Sequence, residues 1–347
     1  MSSGFSDSDT IAILNERYHL VKKIGKGATS TVYLGYDIQE KSNELFAFKI
    51  LRNSTTIDEN DTFKNEAKTL SLIENAHIVH FYESGTSLLS KTNGKKKEVS
   101  YIKTEYLEHG DLFDFVFYPK KGLGENLGRL VLYSIISGLE AIHNAGFVHR
   151  DLKAKNIMVN SSFNIKIADF GFATKTEGPN GDGKHSAYLG TPAYAAPELH
   201  MKTPYYGVYN DIFSLGVIMF VVVTGAMPFR MAVFNDIFYS YIIKGDYEGF
   251  WKKRNVKLSQ SFIDLFNSMV SFDPTQRPSL AEIKESKWMS EGNYSIDNFY
   301  LLREECVKRL NVVKKKKEKW KRMVQRTKLR RMTFYLGKIR FRNLSYI

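Results

Sequence analysis

The chain has 347 residues, 43% hydrophobic and 14% aromatic, which is apolar mass enough for a large packed core and too much for a disordered polymer. A single cysteine, Cys306, excludes an internal disulfide and a cysteine-rich metal site, and fits a reducing compartment. The net charge of +13 is local: from residue 303 to 347 seventeen Lys and Arg face only Glu304, Glu305 and Glu318, so residues 1–302 carry −1 and any polyanion binding is confined to a tail.

In chain order, residues 1–17 open polar and acidic, with neither a secretory nor a transit pattern, and read as a flexible segment. Residues 18–24, 31–37 and 44–51 follow as short β-branched and aromatic strands separated by glycine or polar turns. Residues 58–74 place Phe63, Ala67, Leu70 and Ile73 at helical spacing, and two further strands join across Asn93-Gly94, a favoured hairpin pair. Beyond about residue 111 the pattern becomes helical, over 125–145, 212–223, 234–243, 259–270 and 280–288. These assignments divide the chain into a small lobe over 18–105, a hinge over 106–110, a second lobe over 111–290 and a basic helical tail over 291–347. No 20–50-residue repeat occurs, and the longest apolar run, 215–223, is too short to span a bilayer.

Gly25-Lys26-Gly27 and Val32 lie between two predicted strands, where glycines let backbone N–H groups approach a polyphosphate; a tight hairpin is the competing reading. Lys49, in the apolar strand Phe46-Ala47-Phe48-Lys49, needs an anionic partner, which Glu66 on the following helix would supply; the alternative is a lysine snorkelling from an edge strand. The segment His149-Arg150-Asp151-Leu152-Lys153-Ala154-Lys155-Asn156, followed by Asp169-Phe170-Gly171, is more specific. Phosphoryl transfer needs a carboxylate to orient the attacking hydroxyl, oxygen ligands for Mg²⁺ and a cation for developing charge. Asp151, the pair Asn156 and Asp169, and Lys153 fill these roles in turn.

With Ala196-Pro197-Glu198, Asp211 and Arg277 in the same order and spacing, residues 18–290 resemble the eukaryotic serine/threonine protein kinases, nearest in motif style to the calcium/calmodulin-dependent group. The resemblance implies an α+β bilobal fold: a small β-rich N-lobe with one main helix, and a larger, mostly helical C-lobe. It implies ATP in the interlobe cleft with Mg²⁺, or Mn²⁺ in its place, on Asn156 and Asp169. Ile24, Gly25, Lys26, Gly27, Val32, Ala47, Lys49, Thr104, Glu105, Leu107, Asp111 and Met158 would contact the nucleotide. Thr104 falls at the gatekeeper position, and Leu70, His149 and Phe170 would stack in the column of the active state. Lys153 and Gly190-Thr191 belong to the serine/threonine branch, with Thr191 bonding Asp151 and Lys153, and Glu198 pairing with Arg277. Protein hydroxyls are the implied substrates. A pseudokinase scaffold acting through its tail is the alternative.

Some positions depart from the pattern. Ser30 replaces the third loop glycine. The three acidic positions of arginine-directed relatives are here Asp111, Lys155 and Val221, so a basic upstream motif is expected to be a poor substrate and an acidic one a better match. Arg150 beside Asp151 resembles kinases switched by loop phosphorylation, and Ser186 is the candidate acceptor in a loop that also carries Thr174, Thr176 and Tyr188. In the tail, cations interleave with Trp320, Val324 and Leu329. Residues 303–335 fit a calmodulin target or an autoinhibitory segment, a solvated basic helix, or an arm for nucleic acid or an acidic membrane. The cytosol is the expected compartment; Lys314 to Lys317, a short basic cluster, adds the nucleus.

Overall fold

The structure is a computed structural model and describes residues 7–27, 29–40, 44–52, 57–119 and 121–342. The N-lobe strands are β1 (Ala12–Leu14), β2 (Tyr18–Lys26), β3 (Ser30–Asp37), β4 (Leu45–Leu51), β5 (Phe81–Lys91) and β6 (Lys96–Glu105), with helix α1 (Ile57–Ser71) between β4 and β5. They close into a barrel in the order β1-β2-β3-β4-β6-β5. Alternation decides which side chains do what on β4: Phe46, Phe48 and Ile50 are buried in the barrel core, while Ala47 and Lys49 face the opposite way, half-buried. Register then sets Ala47 opposite Thr104 and Lys49 opposite Val32. Four of the predicted nucleotide contacts thus share one face of the sheet.

The expected flexible segment over 1–17 is corrected for the part that is described. Ala12 and Leu14 are buried, and β1 pairs with β2 (Leu14 opposite Tyr18) and with β5 (Leu14 opposite Leu89), so it closes two otherwise open edges. A strand of 3 residues is too short to register as an alternating pattern.

The C-lobe contains β7 (Gly110–Asp111), α2 (Leu112–Phe117), α3 (Gly124–Asn144), β8 (Phe147–Val148), β9 (Ile157–Val159), β10 (Ile165–Ile167), β11 (Thr174–Lys175), β12 (Lys184–His185), α4 (Pro197–His200), β13 (Tyr205–Tyr206), α5 (Gly207–Thr224), α6 (Tyr239–Ile243), α7 (Tyr247–Arg254), α8 (Gln260–Met269), α9 (Leu280–Glu285), α10 (Lys287–Ser290) and α11 (Ile296–Arg342). Helix α5 is buried nearly all round and ends at Gly225 in the left-handed conformation. It is the one helix among the described residues apolar enough by composition to cross a membrane, and that apolar surface is consumed by the core.

Two helix boundaries differ from the sequence reading. The helix expected over 234–243 starts at Tyr239, because the buried Asp236 carboxylate accepts from the amides of Arg230, Met231, Phe238 and Tyr239 and folds residues 230–238 into a turn. The helix expected over 280–288 breaks at Ser286, whose hydroxyl caps α10 by accepting from Met289 N.

The tail boundary is also corrected. The first turns of α11 bury Leu302, Cys306, Leu310 and Val313, the first three within the same core as α2 and α3, so the C-lobe does not end at 290. The lone cysteine is a core residue, its thiol pKa pushed up to about 12 by burial. The side chains of Trp320, Val324 and Leu329, on which the calmodulin-like spacing rests, lie outside the described residues.

A chain starting at Tyr18 loses buried Ala12 and Leu14 and exposes the edges of β2 and β5. It should be less stable by at least ~2 kcal/mol, the burial of one leucine, read as a lower urea midpoint at unchanged slope.

Candidate active site

The upper wall of the cleft is built from β2 to β6. Lys49 Nζ lies 2.6 and 2.7 Å from the Glu66 carboxylate oxygens on α1 and 3.1 Å from Asp169 Oδ1. Burial works against the Lys49 ammonium, but the carboxylates of Glu66 and Asp169 outweigh it and raise its pKa, so it stays charged. Burial opposes the Asp169 carboxylate too; Lys49 reverses the sign and holds its pKa below the usual range. Val32, Ala47, Thr104 and Met158 are half-buried around the cleft and Leu107 is buried. Ile24, Lys26 and Gly27 are exposed at its rim and Gly25 is half-buried. Ser30, in place of a third glycine, is buried and accepts the Gly27 N–H at its carbonyl, 3.0 Å away.

The lower wall is the loop between β8 and β9. Asp211, at the start of α5, is fully buried and its carboxylate accepts from His149 N (2.8 Å) and Arg150 N (2.9 Å), with His143 Nε2 at 3.0 Å. Arg150 sits in the left-handed region with φ 63°, and Asp169 with φ 61°. Asp151 is held from both oxygens: Lys153 Nζ donates to Oδ2 at 2.5 Å and Thr191 Oγ1 to Oδ1 at 2.8 Å, while Lys153 also donates to Thr191 Oγ1 at 2.8 Å. Asn156 Nδ2 donates to the Asp151 carbonyl at 2.9 Å, which leaves its amide oxygen for another partner. Gly190 has φ 102°, and a Cβ there would stand 2.7 Å from Arg150 O, so only glycine lets Thr191 reach Asp151.

Leu70, His149 and Phe170 are all buried, and the His149 and Phe170 rings are 5.2 Å apart. Glu198 and Arg277 form a bidentate pair at 2.6 and 2.8 Å, both buried. Val221 is buried in α5 and offers nothing to a substrate. Lys155 is exposed on the catalytic loop, its ammonium 5.3 Å from the Phe113 ring, and makes no ion pair among the described residues. One carboxylate oxygen of Asp111 caps α2 by accepting from Asp114 N at 2.9 Å.

Sequence reasoning missed three links. His143 is the third partner of Asp211. Lys166 pairs with Glu105, the last residue of β6 before the hinge, at 2.5 Å and donates to Ile78 O, which ties the end of β6 to the strand leading into Asp169. Arg309, on α11, is discussed below. Apart from the Arg309–Glu305 pair one helical turn away, none has a local signal, because the partners lie 61 or more residues apart.

Ser186 is exposed and lines a cavity of about 500 Å³ between α1 and the loop, lined also by Lys68, Arg150, Lys175 and His185. The His185 ring is buried, its Nε2 has no hydrogen-bond partner among the described residues, and burial together with nearby Arg150 keeps its pKa below the usual histidine value.

The donor set suits a nucleotide with a hard divalent cation. Asp169 and Asn156 offer hard oxygens, and two protein donors leave the remaining positions of such a cation to phosphate oxygens and water.

The sequence matches the protein kinase domain family model over residues 18–289, and the chain belongs to that family. Among curated relatives it is 32% identical over 285 residues to CBL-interacting protein kinase 15 of Oryza sativa subsp. japonica, covering 81% of this chain and 61% of that protein. It is 30% identical over 288 residues to CBL-interacting serine/threonine-protein kinase 20 of Arabidopsis thaliana, covering 82% and 61% respectively. It is also 30% identical to the maternal embryonic leucine zipper kinase of Danio rerio, covering 82% of this chain and 39% of that protein. The match thus spans less than two thirds of the length of these relatives.

Proposed function

We propose that the chain is an active serine/threonine protein kinase that transfers the γ-phosphoryl group of ATP to hydroxyls of protein substrates. The observation that carries this reading is the intact Asp151 constellation, with Lys153, Thr191 and Asn156 in place, facing the Lys49–Glu66–Asp169 set across one cleft. Asp151, fixed at both oxygens, orients the acceptor hydroxyl and takes its proton; Lys153 stabilises charge developing between acceptor and phosphoryl group; Lys49 grips phosphate oxygens. Mg²⁺, or Mn²⁺, held by Asn156 and Asp169, neutralises phosphate charge when bound. A pseudokinase scaffold requires a broken catalytic set, and no member is missing.

The charges flanking the site favour an acidic or phosphorylated residue upstream of the acceptor. Lys155 makes no ion pair among the described residues, Asp111 gives one carboxylate oxygen to the α2 cap, and Val221 is buried. Charge also supports Ser186 as a regulatory acceptor, since a phosphate there meets Lys68, Arg150, Lys175 and the buried His185. The basic helix beyond residue 318 is proposed to bind an acidic, calmodulin-like partner; the plant relatives are themselves named for interaction with CBL. The cytosol is the proposed compartment, with the nucleus second.

Mg-dependent ³²P transfer from ATP to a generic protein substrate should be abolished by Asp151→Asn while ATP binding persists, a loss of at least about a hundredfold. Transfer that survives the substitution sinks the assignment of Asp151 as base. A positional peptide library should disfavour arginine upstream of the acceptor, and Lys155→Glu should shift selection toward basic residues; strong arginine selection by the unaltered chain contradicts this. Ser186→Ala should lower the activity of kinase purified in its phosphorylated form by roughly tenfold, and equal activities would remove Ser186 from regulation.

A further inference from the structure

The core-facing part of α11 reaches the nucleotide site through α2. Arg309 is buried and spends its guanidinium on backbone: Nη1 donates to Phe115 O (3.0 Å) and Lys121 O (2.6 Å), Nη2 to Gly122 O (2.8 Å), and Nε to Glu305 at 2.7 Å. Phe115 O belongs to the last turn of α2, where carbonyls lack helical partners and a cation is favoured. The loop that Arg309 grips has no freedom on its other side. Leu123 N donates to Val222 O at 2.7 Å, and a Cβ on Gly122 would lie 2.0 Å from Val223 O, so the loop is wedged between α5 and the guanidinium. About two turns further on, Lys316 donates to Tyr118 O and Lys317 pairs with Asp114.

The other end of α2 is the floor of the cleft. Asp111 caps the helix, β7 pairs Asp111 with Met158, and Phe113 N donates to Ala154 O, between Lys153 and Asn156 on the catalytic loop, at 3.1 Å. Helix α2 is therefore a short lever. One end bears on the catalytic loop and the expected nucleotide contact Asp111; the other is held by α11.

We propose that Arg309 is a positioning residue of the nucleotide site: by holding α2 and the 121–122 loop it sets Asp111 and Met158 where ATP meets them, and Lys317 completes the clamp. The basic tail then has two parts of opposite sign. Residues 296–317 support nucleotide binding, and a detachable regulatory role falls to the helix beyond them. Burial and the Asp114 charge raise the Asp111 pKa, and the hydrogen bond from the Asp114 amide, then Lys317 and Lys155, oppose the rise.

The inference rests on the kinase reading, so ATP affinity is measured by equilibrium binding separately from phosphoryl transfer, in the full chain. Arg309→Met should weaken ATP binding about tenfold and raise the KM for ATP in step, with kcat at saturating ATP and the KM for protein substrate changed less than about twofold. Arg309→Lys, which keeps donors for the same carbonyls, should recover most of the loss. Unchanged ATP affinity in folded Arg309→Met, or a fall in kcat at unchanged affinity, overturns the proposal. If Arg309→Met does not fold, Lys317→Glu decides, since it sets a carboxylate against Asp114 at a half-exposed site. Weaker ATP binding supports the clamp, and unaltered binding overturns it. Absence of transfer in the unaltered chain would refute the kinase reading while leaving the binding test of Arg309 intact.

Discussion

The catalytic loop hangs on Asp211. A carboxylate removed from water is costly unless its oxygens are satisfied, and here two backbone amides and His143 satisfy them and hold its pKa below the usual range despite burial. The bonds have a conformational use. Arg150 at φ 63° carries a left-handed strain of roughly 1–3 kcal/mol, which two hydrogen bonds to a charged acceptor, each worth ~1.5–3 kcal/mol, outweigh. That twist turns the next residue, Asp151, toward the cleft while the Arg150 side chain donates to Phe172 O of the activation loop at 2.8 Å.

Around this fixed loop the site is assembled by charge pairs that differ in burial and purpose. Glu198–Arg277 is deeply buried and structural; breaking it strands a charge at a cost of about 3–5 kcal/mol. Lys49–Glu66 is buried at the carboxylate and half-buried at the lysine, whose ammonium stays charged because the Glu66 and Asp169 carboxylates outweigh its burial. Lys153 is shared between Asp151 and Thr191, binding the proposed catalytic carboxylate to the Gly190-Thr191 segment. The same side-chain chemistry does different work because the surroundings differ.

Much of this was legible in the linear chain. The barrel strands after residue 18, α1, α3, α5 and α8 follow from alternation and helical spacing, and the catalytic residues cluster within short segments whose chemistry is specific. Failures fell where a tertiary partner overrides local preference. Asp236 collects four amides and delays α6, Ser286 splits a helix whose periodicity runs on, and Leu14 becomes a strand because β2 and β5 each present an open edge. The tail was misread for a related reason: its charge dominates the composition, while the few buried positions that dock it, Leu302, Cys306, Leu310 and Val313, are a minority within the helix.

The sequence alone supplied the residues on which the proposed phosphoryl transfer rests, because a base, a lysine and oxygen ligands for a hard cation have few substitutes and sit in motifs a few residues long. Only the tertiary structure decided how those groups are held. Glu105 meets Lys166, Asp211 meets the catalytic loop, and Arg309 reaches carbonyls 187 to 194 residues away. A hydrogen bond acts over about 3 Å of space whatever the separation along the chain, so such pairings exist only once the core has brought the elements together.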